Sequence, residues 1–196
     1  MRFTIFLTLV FFCLSLPMLA GENLESAPQA VKEQTQGVTF DSIIAYNKGM
    51  YDGMKMILLR AAEKMPEEYY NFKPTDAVRT YGQILGHIAD AQYLFCALVL
   101  GEKKPAPQIE KTKITKADLI AALKEAFAYG DKAYATMTDE SAVQTVKLFG
   151  QDTPKFNVLC VNGTHTISHY GNLVTYLRMK NIVPPTSEPG VIPDSK

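Results

Sequence analysis

The chain has 196 residues, of which 47% are hydrophobic, and it carries 20 basic and 20 acidic side chains. This length and composition predict one domain with a sizeable buried core. The balanced charge, with no long basic run, argues against nucleic-acid binding.

The N-terminus has the pattern of a secretory signal peptide. Arg2 precedes an apolar run over residues 3–16, which Pro17 ends and which the small residues Ala20 and Gly21 follow. The run is short for a membrane span, so we expect cleavage near Ala20 and a signal peptide at 1–20, in preference to an uncleaved anchor. We therefore expect an exported protein, periplasmic or secreted, with no membrane contact after cleavage.

Helical periodicity dominates the rest of the chain. Residues 21–37 are polar and predict a flexible lead-in, and the Pro-rich residues 186–196 predict a disordered tail. Residues 38–185 are expected to form the domain. No segment there alternates as a strand would, and apolar residues recur at helical spacing over about 41–65, 81–99, 116–137 and 155–180. Four such helices predict an all-α fold, a four-helix bundle.

Local signals mark the ends of these helices. Thr80 with Gln83 matches a capping box before the second helix, and Gly101 matches its stop. Thr153 before Pro154 predicts an N-cap and a first-turn proline for the last helix.

Glycines inside the predicted helices indicate places of close approach. Gly49 and Gly53 weaken the first helix by roughly 1 kcal/mol each relative to Ala, and they suggest that another helix approaches there. Gly86, in the second helix, suggests room for a partner helix or a ligand.

The chain has three histidines, and His165 and His169 are four residues apart in the last predicted helix. Residues at this spacing share one helix face, so both imidazoles can reach one point. An isolated pair of this kind is more often bonded to protein neighbours. His87 lies on the apolar stripe of the second helix and is expected to point inward, where a lone histidine is more often a satisfied core residue.

Taken together, the three histidines predict a metal site in the bundle core. Three protein ligands with an open fourth position are typical of catalytic zinc, and the metal lowers the pKa of its water to roughly 7. Three imidazoles also suit nickel, copper and iron. We expect one divalent ion, zinc or nickel.

The segments VRTYGQILGHIADAQYLFC and HTISHYGNLVTYLRMKNIVPP, with MPEEYYNFKPTDAVRT before them, resemble the DinB superfamily of YfiT-like metalloenzymes. The resemblance covers about residues 38–185. It implies a bundle of up-down-down-up topology and a divalent metal held by His87, His165 and His169. Many members carry a basic residue after the last histidine, where this chain has Tyr170, so a substrate contact made there by relatives does not carry over.

The resemblance implies either a metal-dependent hydrolase or a thiol-dependent S-transferase or isomerase. Low-molecular-weight thiols are kept mainly in the cytoplasm, so export favours the hydrolase, acting on a small molecule with the metal-bound water as nucleophile. A non-catalytic metal- or ligand-binding bundle and a structural bundle with core histidines stay open, and a homodimer is compatible with all of these.

Three further side chains are candidate site residues. Asp90 lies one turn from His87 and could orient a ligand or act as a base, although a solvent-facing carboxylate explains it equally well. Asn172 and Tyr176 continue the face of His169 and are candidate substrate contacts, although packing explains them as well.

Cys96 and Cys160 would both remain after signal cleavage, and an oxidising compartment would favour a disulfide between them. Each lies nine residues from a histidine, which is half a helical turn away from that histidine's face. If the histidines converge, the thiols should diverge. We therefore expect two unlinked and mostly buried cysteines.

Overall fold

The structure, a computed structural model, describes residues 40–105 and 107–189. The predicted signal peptide and lead-in lie outside the described residues. In chain order the elements are α1 (Phe40–Lys64), α2 (Tyr81–Leu100), α3 (Ile109–Thr112), α4 (Lys116–Ala135), α5 (Asp139–Ala142), β1 (Thr145–Leu148), β2 (Gln151–Pro154) and α6 (Lys155–Met179), with 3₁₀ turns at Glu67–Tyr69 and Pro185–Ser187. The all-α class predicted from the sequence is confirmed.

The four long helices surround one core. α2 packs against α4 and α6, and α1 packs against the same two helices. By direction, α1 runs antiparallel to α4, and α2 runs antiparallel to α6, which is consistent with the expected up-down-down-up order. The contacts that fix these two directions are Tyr51–Phe127 and Met65–Lys116 for the first pair, and Arg79–Tyr176 and Cys96–Asn162 for the second.

The predicted ends of α2 are confirmed. The Thr80 hydroxyl accepts the backbone N–H of Gln83, and the Gln83 side chain accepts the backbone N–H of Thr80. Gly101 closes the helix in the left-handed conformation, with φ 68°. Of the described helices, α2 is the one long and apolar enough by composition to cross a membrane, and 61% of that stretch is buried within the domain, as in the central helix of a bundle.

The expectation of no strand was wrong. β1 and β2 form an antiparallel hairpin, with Thr145 opposite Pro154 and Leu148 opposite Gln151. The two turn residues both have positive φ, 49° at Phe149 and 84° at Gly150, as a type I′ hairpin turn requires. Strands of four residues are too short for alternation to stand out in a sequence.

The hairpin also explains why the predicted cap of α6 was wrong. Thr153 is paired within β2, and its hydroxyl donates to the carbonyl oxygen of Gln151. Pro154 occupies the N-cap position, without a side-chain cap. The chain enters α6 directly from an extended strand.

The expectations for the helix glycines have different outcomes, one for Gly49 and Gly53 and another for Gly86. Within residues 40–105 and 107–189, a Cβ added at Gly49 or Gly53 would meet nothing within 4 Å, so none of the described helices approaches there and that expectation was wrong. A Cβ at Gly86 would lie 2.6 Å from the Cα of Glu110. Gly86 therefore makes room for the backbone of α3, which lies across α2.

The predicted disordered tail begins too early at 186. The backbone N–H of Thr186 donates to the Tyr170 hydroxyl at 3.2 Å, and Glu188 pairs with Arg60 and Lys64 on α1. This segment packs on the domain because its polar groups find partners on two long helices. Residues 190–196 lie outside the described residues.

The two cysteines diverge, as expected. Both are free thiols, with Cys96 buried and Cys160 half-buried. The Cys96 sulfur accepts from Asn162 at 3.7 Å, inside the core. The Cys160 sulfur accepts from Asn47 of α1 at 3.5 Å.

Candidate metal centre

The antiparallel packing of α2 and α6 brings the three histidines together. The Nε2 atoms of His87 and His165 lie 3.1 Å apart. The centroid of the His169 ring is 4.8 Å from that of His87 and 4.5 Å from that of His165. One ring nitrogen from each histidine lies within 4.8 Å of the other two.

These nitrogens fit a divalent cation. Two imidazole nitrogens that face each other at 3.1 Å either share one hydrogen or direct both lone pairs at a common cation. Bonds of about 2.0–2.1 Å around a tetrahedral ion place neighbouring nitrogens roughly 3.3 Å apart. The Nδ1 atoms of His165 and His169 are buried and have no hydrogen-bond partner among the described residues. The site is therefore compatible with metal binding.

Glu110 supports the site from outside. Its Oε2 lies 3.1 Å from the Nδ1 of His87. A carboxylate at this position holds the hydrogen on Nδ1, so that Nε2 turns its lone pair toward the other histidines. Histidines that bind metals commonly have such a partner, so Glu110 strengthens the case for a metal.

Asp90 holds α3 in place. Its two carboxylate oxygens accept the backbone N–H groups of Ile109 and Glu110, at 2.9 and 3.0 Å. This contact fits an orienting role that acts on His87 through Glu110. The role of Asp90 as a base stays a prediction.

Arg79 completes the charged cluster. Its Nε donates to Oε1 of Glu110 at 2.8 Å. Burial raises the pKa of Glu110, but the hydrogen bond and charge of Arg79, with a smaller contribution from His87, hold it below its ordinary value. Glu110 is therefore a carboxylate anion at neutral pH.

The pKa values of two histidines are lowered. Burial, with the nearby His169, His87 and Arg79, lowers the pKa of His165 to about 4. Burial also lowers the pKa of His169, with smaller contributions from the nearby His87 and Arg79. Both imidazoles are neutral at pH 7, which is the form that binds metals.

A cleft of about 570 Å³ opens beside His169. Asn172 and Tyr176 line it, as their candidate role requires, and their contact with a substrate stays a prediction. The Tyr176 hydroxyl donates to the backbone carbonyl of Arg79 at 2.7 Å, which anchors this wall of the cleft. The other lining residues are Pro74, Ala77, Val78, Arg79, Gln83, Ile84 and Glu110.

Sequence reasoning missed Glu110, Arg79 and the short helix α3. The available signal was the length of the connection between α2 and α4, residues 101–115, because long ordered connections are often functional. Nothing in that segment distinguishes Glu110 from Glu102, since only the path of the backbone over Gly86 decides which carboxylate reaches His87.

The four long helices and the cluster of three histidines indicate a helical protein with a candidate metal site. The DinB superfamily matches residues 50–173, and the chain belongs to that superfamily.

Named relatives agree with this assignment. The "Uncharacterized protein YjoA" of Bacillus subtilis strain 168 is 29% identical over 123 residues, which span 60% of this chain and 77% of YjoA. The crystal structure of a DinB-like protein from Bacillus cereus ATCC 10987 has a TM-score of 0.63 at 13% identity, covering 75% of this chain and 96% of that one. The crystal structure of YjoA from B. subtilis has a TM-score of 0.58 at 21% identity, covering 69% and 92%. At these identities the two structures establish the fold alone.

Proposed function

We propose that the chain is an exported metal-dependent hydrolase of a small molecule, with one divalent ion, zinc or nickel, held by His87, His165 and His169. The observation that carries the proposal is the convergence of three imidazoles, one of them backed by Glu110, beside an open cleft. When bound, a divalent ion supplies Lewis-acid chemistry, polarising a carbonyl or phosphoryl oxygen and acidifying water.

The chain's own residues prepare this site. Glu110 retains the hydrogen on Nδ1 of His87 and thereby aims Nε2 at the site. Burial keeps His165 and His169 neutral, so no proton has to leave them before a metal binds at neutral pH. The cleft gives a small substrate access to His169, which adjoins the other two histidines.

Metal content tests the ligand set. The mature chain, purified without a His tag and loaded with zinc or nickel, should contain about one equivalent by mass spectrometry. His87→Ala and His165→Ala should lose it, whereas Asn172→Ala, altered in the cleft but not at a ligand, should keep it. A wild-type chain that stays metal-free after loading would overturn the proposal.

Turnover tests the reaction class. Metal-loaded protein would be screened against ester, amide and thiol-transfer substrates. Hydrolysis that depends on metal and is lost in His169→Ala supports the hydrolase. Turnover that requires an added low-molecular-weight thiol would instead identify an S-transferase, and metal binding without turnover would leave a binding protein.

Export has its own test. Protein recovered from the periplasm or the medium should begin near Gly21, as read by N-terminal sequencing. A cytoplasmic chain that retains Arg2 would contradict export without affecting the metal site.

A further inference from the structure

Arg79 lines the cleft and has most of its hydrogen-bond donors unused. Its side chain is 43% exposed, and its Nε is committed to Glu110. The two terminal guanidinium nitrogens donate to no residue in the described part of the chain, although Arg79 lines the same cleft as His169. An arginine fixed at Nε presents the remaining end of its planar fork in a set direction.

The charge of the cleft favours an anion. Arg79 and Glu110 are the charged residues among those that line it. Both oxygens of Glu110 already have partners, Arg79 on one and His87 on the other, so its negative charge is paired within the protein. A divalent ion at the histidines would leave the cleft net positive, and a concave positive site concentrates anions.

The cleft also has an apolar lining. Val78 is 44% exposed although it is hydrophobic, and Pro74, Ala77 and Ile84 line the same cleft. An inorganic anion would leave this surface uncovered, whereas an organic anion would bury it. Asn172 and Gln83 add amide groups to the lining.

We propose that the cleft binds a small organic acid, an apolar body bearing a carboxylate or a phosphate, with its anionic group paired to the terminal nitrogens of Arg79. This inference rests on the proposed function and names the substrate class of the same site. Carboxylates and phosphates both match the planar fork of arginine, so either anionic group can form paired hydrogen bonds with the Arg79 guanidinium.

The test is binding of phenylacetate, phenyl phosphate and the neutral isostere phenylacetamide to the zinc-loaded mature chain, measured by calorimetry. At least one of the two anions should bind about tenfold or more tightly than phenylacetamide, because charge-assisted pairs are the stronger ones. Arg79→Gln should remove that difference and Arg79→Lys should restore part of it. Arg178→Gln, which alters an exposed arginine on α6 that pairs with Ser187, should change nothing.

Zinc content is measured in every variant, so that loss of metal is not mistaken for loss of the anion contact. If Arg79→Gln itself loses zinc, the difference in affinity between the anions and phenylacetamide is measured in Arg79→Lys instead. Anion binding that survives in zinc-loaded Arg79→Gln but disappears without zinc would place the anion on the metal alone and overturn this inference, leaving the metal site intact. Equal binding of phenylacetamide, or bound zinc with no anion binding, would also overturn it. A chain that binds neither zinc nor anion would overturn both proposals.

Discussion

Glu110 touches His87 with one carboxylate oxygen and Arg79 with the other. In Glu110→Gln the shape is kept but the charge is lost, so the hydrogen on Nδ1 of His87 is held less firmly. We expect metal affinity to fall by about 10–100-fold, the usual effect of losing such a partner. Competition with a chromophoric chelator would measure it.

The matched control is Glu102→Gln, which alters an exposed, ion-paired glutamate just beyond the C-terminal end of α2. It should leave the metal affinity unchanged. If Glu110→Gln also binds metal like the wild type, Glu110 does not support the site.

The lowered pKa of His165 makes the stability of the metal-free protein depend on pH. Burial lowers this pKa from 6.5 to about 4 in the folded chain, so the unfolded chain binds the proton more readily between these values. The free energy of unfolding should therefore decrease as the pH falls from about 6.5 to about 4. Urea unfolding of the metal-free protein across this range would measure it.

His165→Gln removes that titration and serves as the comparison, because carboxylates begin to titrate near the lower limit of the range in both proteins. The variant should lose less stability than the wild type over the same interval. Identical pH dependence would show that the imidazole of His165 is not desolvated in the folded state.

At the residue scale, the histidines were predictable and their partners were not. All three histidines lie on regular helices, where spacing alone fixes the face each side chain occupies. Glu110 lies in a connection whose path depends on the absence of a side chain at Gly86 and on the hydrogen bond from its backbone to Asp90. Neither contact leaves a periodic signal in the sequence.

At the scale of elements, Gly86 sets the distance between α2 and α3. A methyl group there would lie 2.6 Å from the Cα and 2.8 Å from the backbone nitrogen of Glu110. Gly86→Ala should therefore push α3 away, cost about 1–3 kcal/mol of unfolding free energy as overpacking does, and weaken metal binding. Denaturant titration and metal competition would measure the two effects.

Gly171→Ala is the control, since a methyl group at this position of α6 meets no described residue within 4 Å. It should be neutral, or stabilise by up to about 1 kcal/mol through helix propensity. Normal stability and metal affinity in Gly86→Ala would mean that α3 can shift without disturbing His87.

The hairpin turn places a large aromatic residue in the left-handed region. Phe149 has φ 49°, is 76% exposed, and meets Phe95 edge-on at 6.3 Å between ring centroids. Phe149→Asn should raise the unfolding free energy by about 1 kcal/mol, because asparagine tolerates this conformation, as a shift of the thermal midpoint would show.

Phe149→Ala separates the two contributions, since it removes the ring without the preference of asparagine for a positive φ. It should not reach the stability of Phe149→Asn. If both variants are less stable than the wild type by the same amount, the contact with Phe95 outweighs the backbone strain.

The long helices could be located from the sequence because their apolar residues repeat over many turns, and because Thr80 and Gly101 mark the limits of α2. The hairpin could not be located in this way. Its turn is Phe-Gly, where Asn-Gly or Asp-Gly is the usual signal, and each strand has only four residues.

At the scale of the whole molecule, the thiols report on both folding and export. Burial, with the nearby Asp131, raises the pKa of Cys96 to about 12, and burial also raises the pKa of Cys160. Alkylation of the native protein should therefore be slow at Cys96. After denaturation without a reductant, mass spectrometry of the processed chain should show two labels, one on each cysteine.

A third label would place Cys13 in the purified protein and show that the signal peptide was retained. No label after denaturation would mean that Cys96 and Cys160 are joined, which the structure contradicts, because their sulfurs face Asn162 and Asn47 on different helices.

The short helix α3 divides the candidate metal site between two kinds of structure. The histidines belong to the packed helices, whereas Glu110, the carboxylate that contacts His87, belongs to a connection. Asp90 binds the backbone of this connection, and the missing side chain of Gly86 leaves space for it. An insertion or deletion within residues 101–115 could thus change how strongly an ion at the three histidines would be held while every histidine and every long helix stays in place. Two homologues with the same three histidines need not retain their ion equally well in a metal-poor environment, and the length of this connection is the feature by which to compare them.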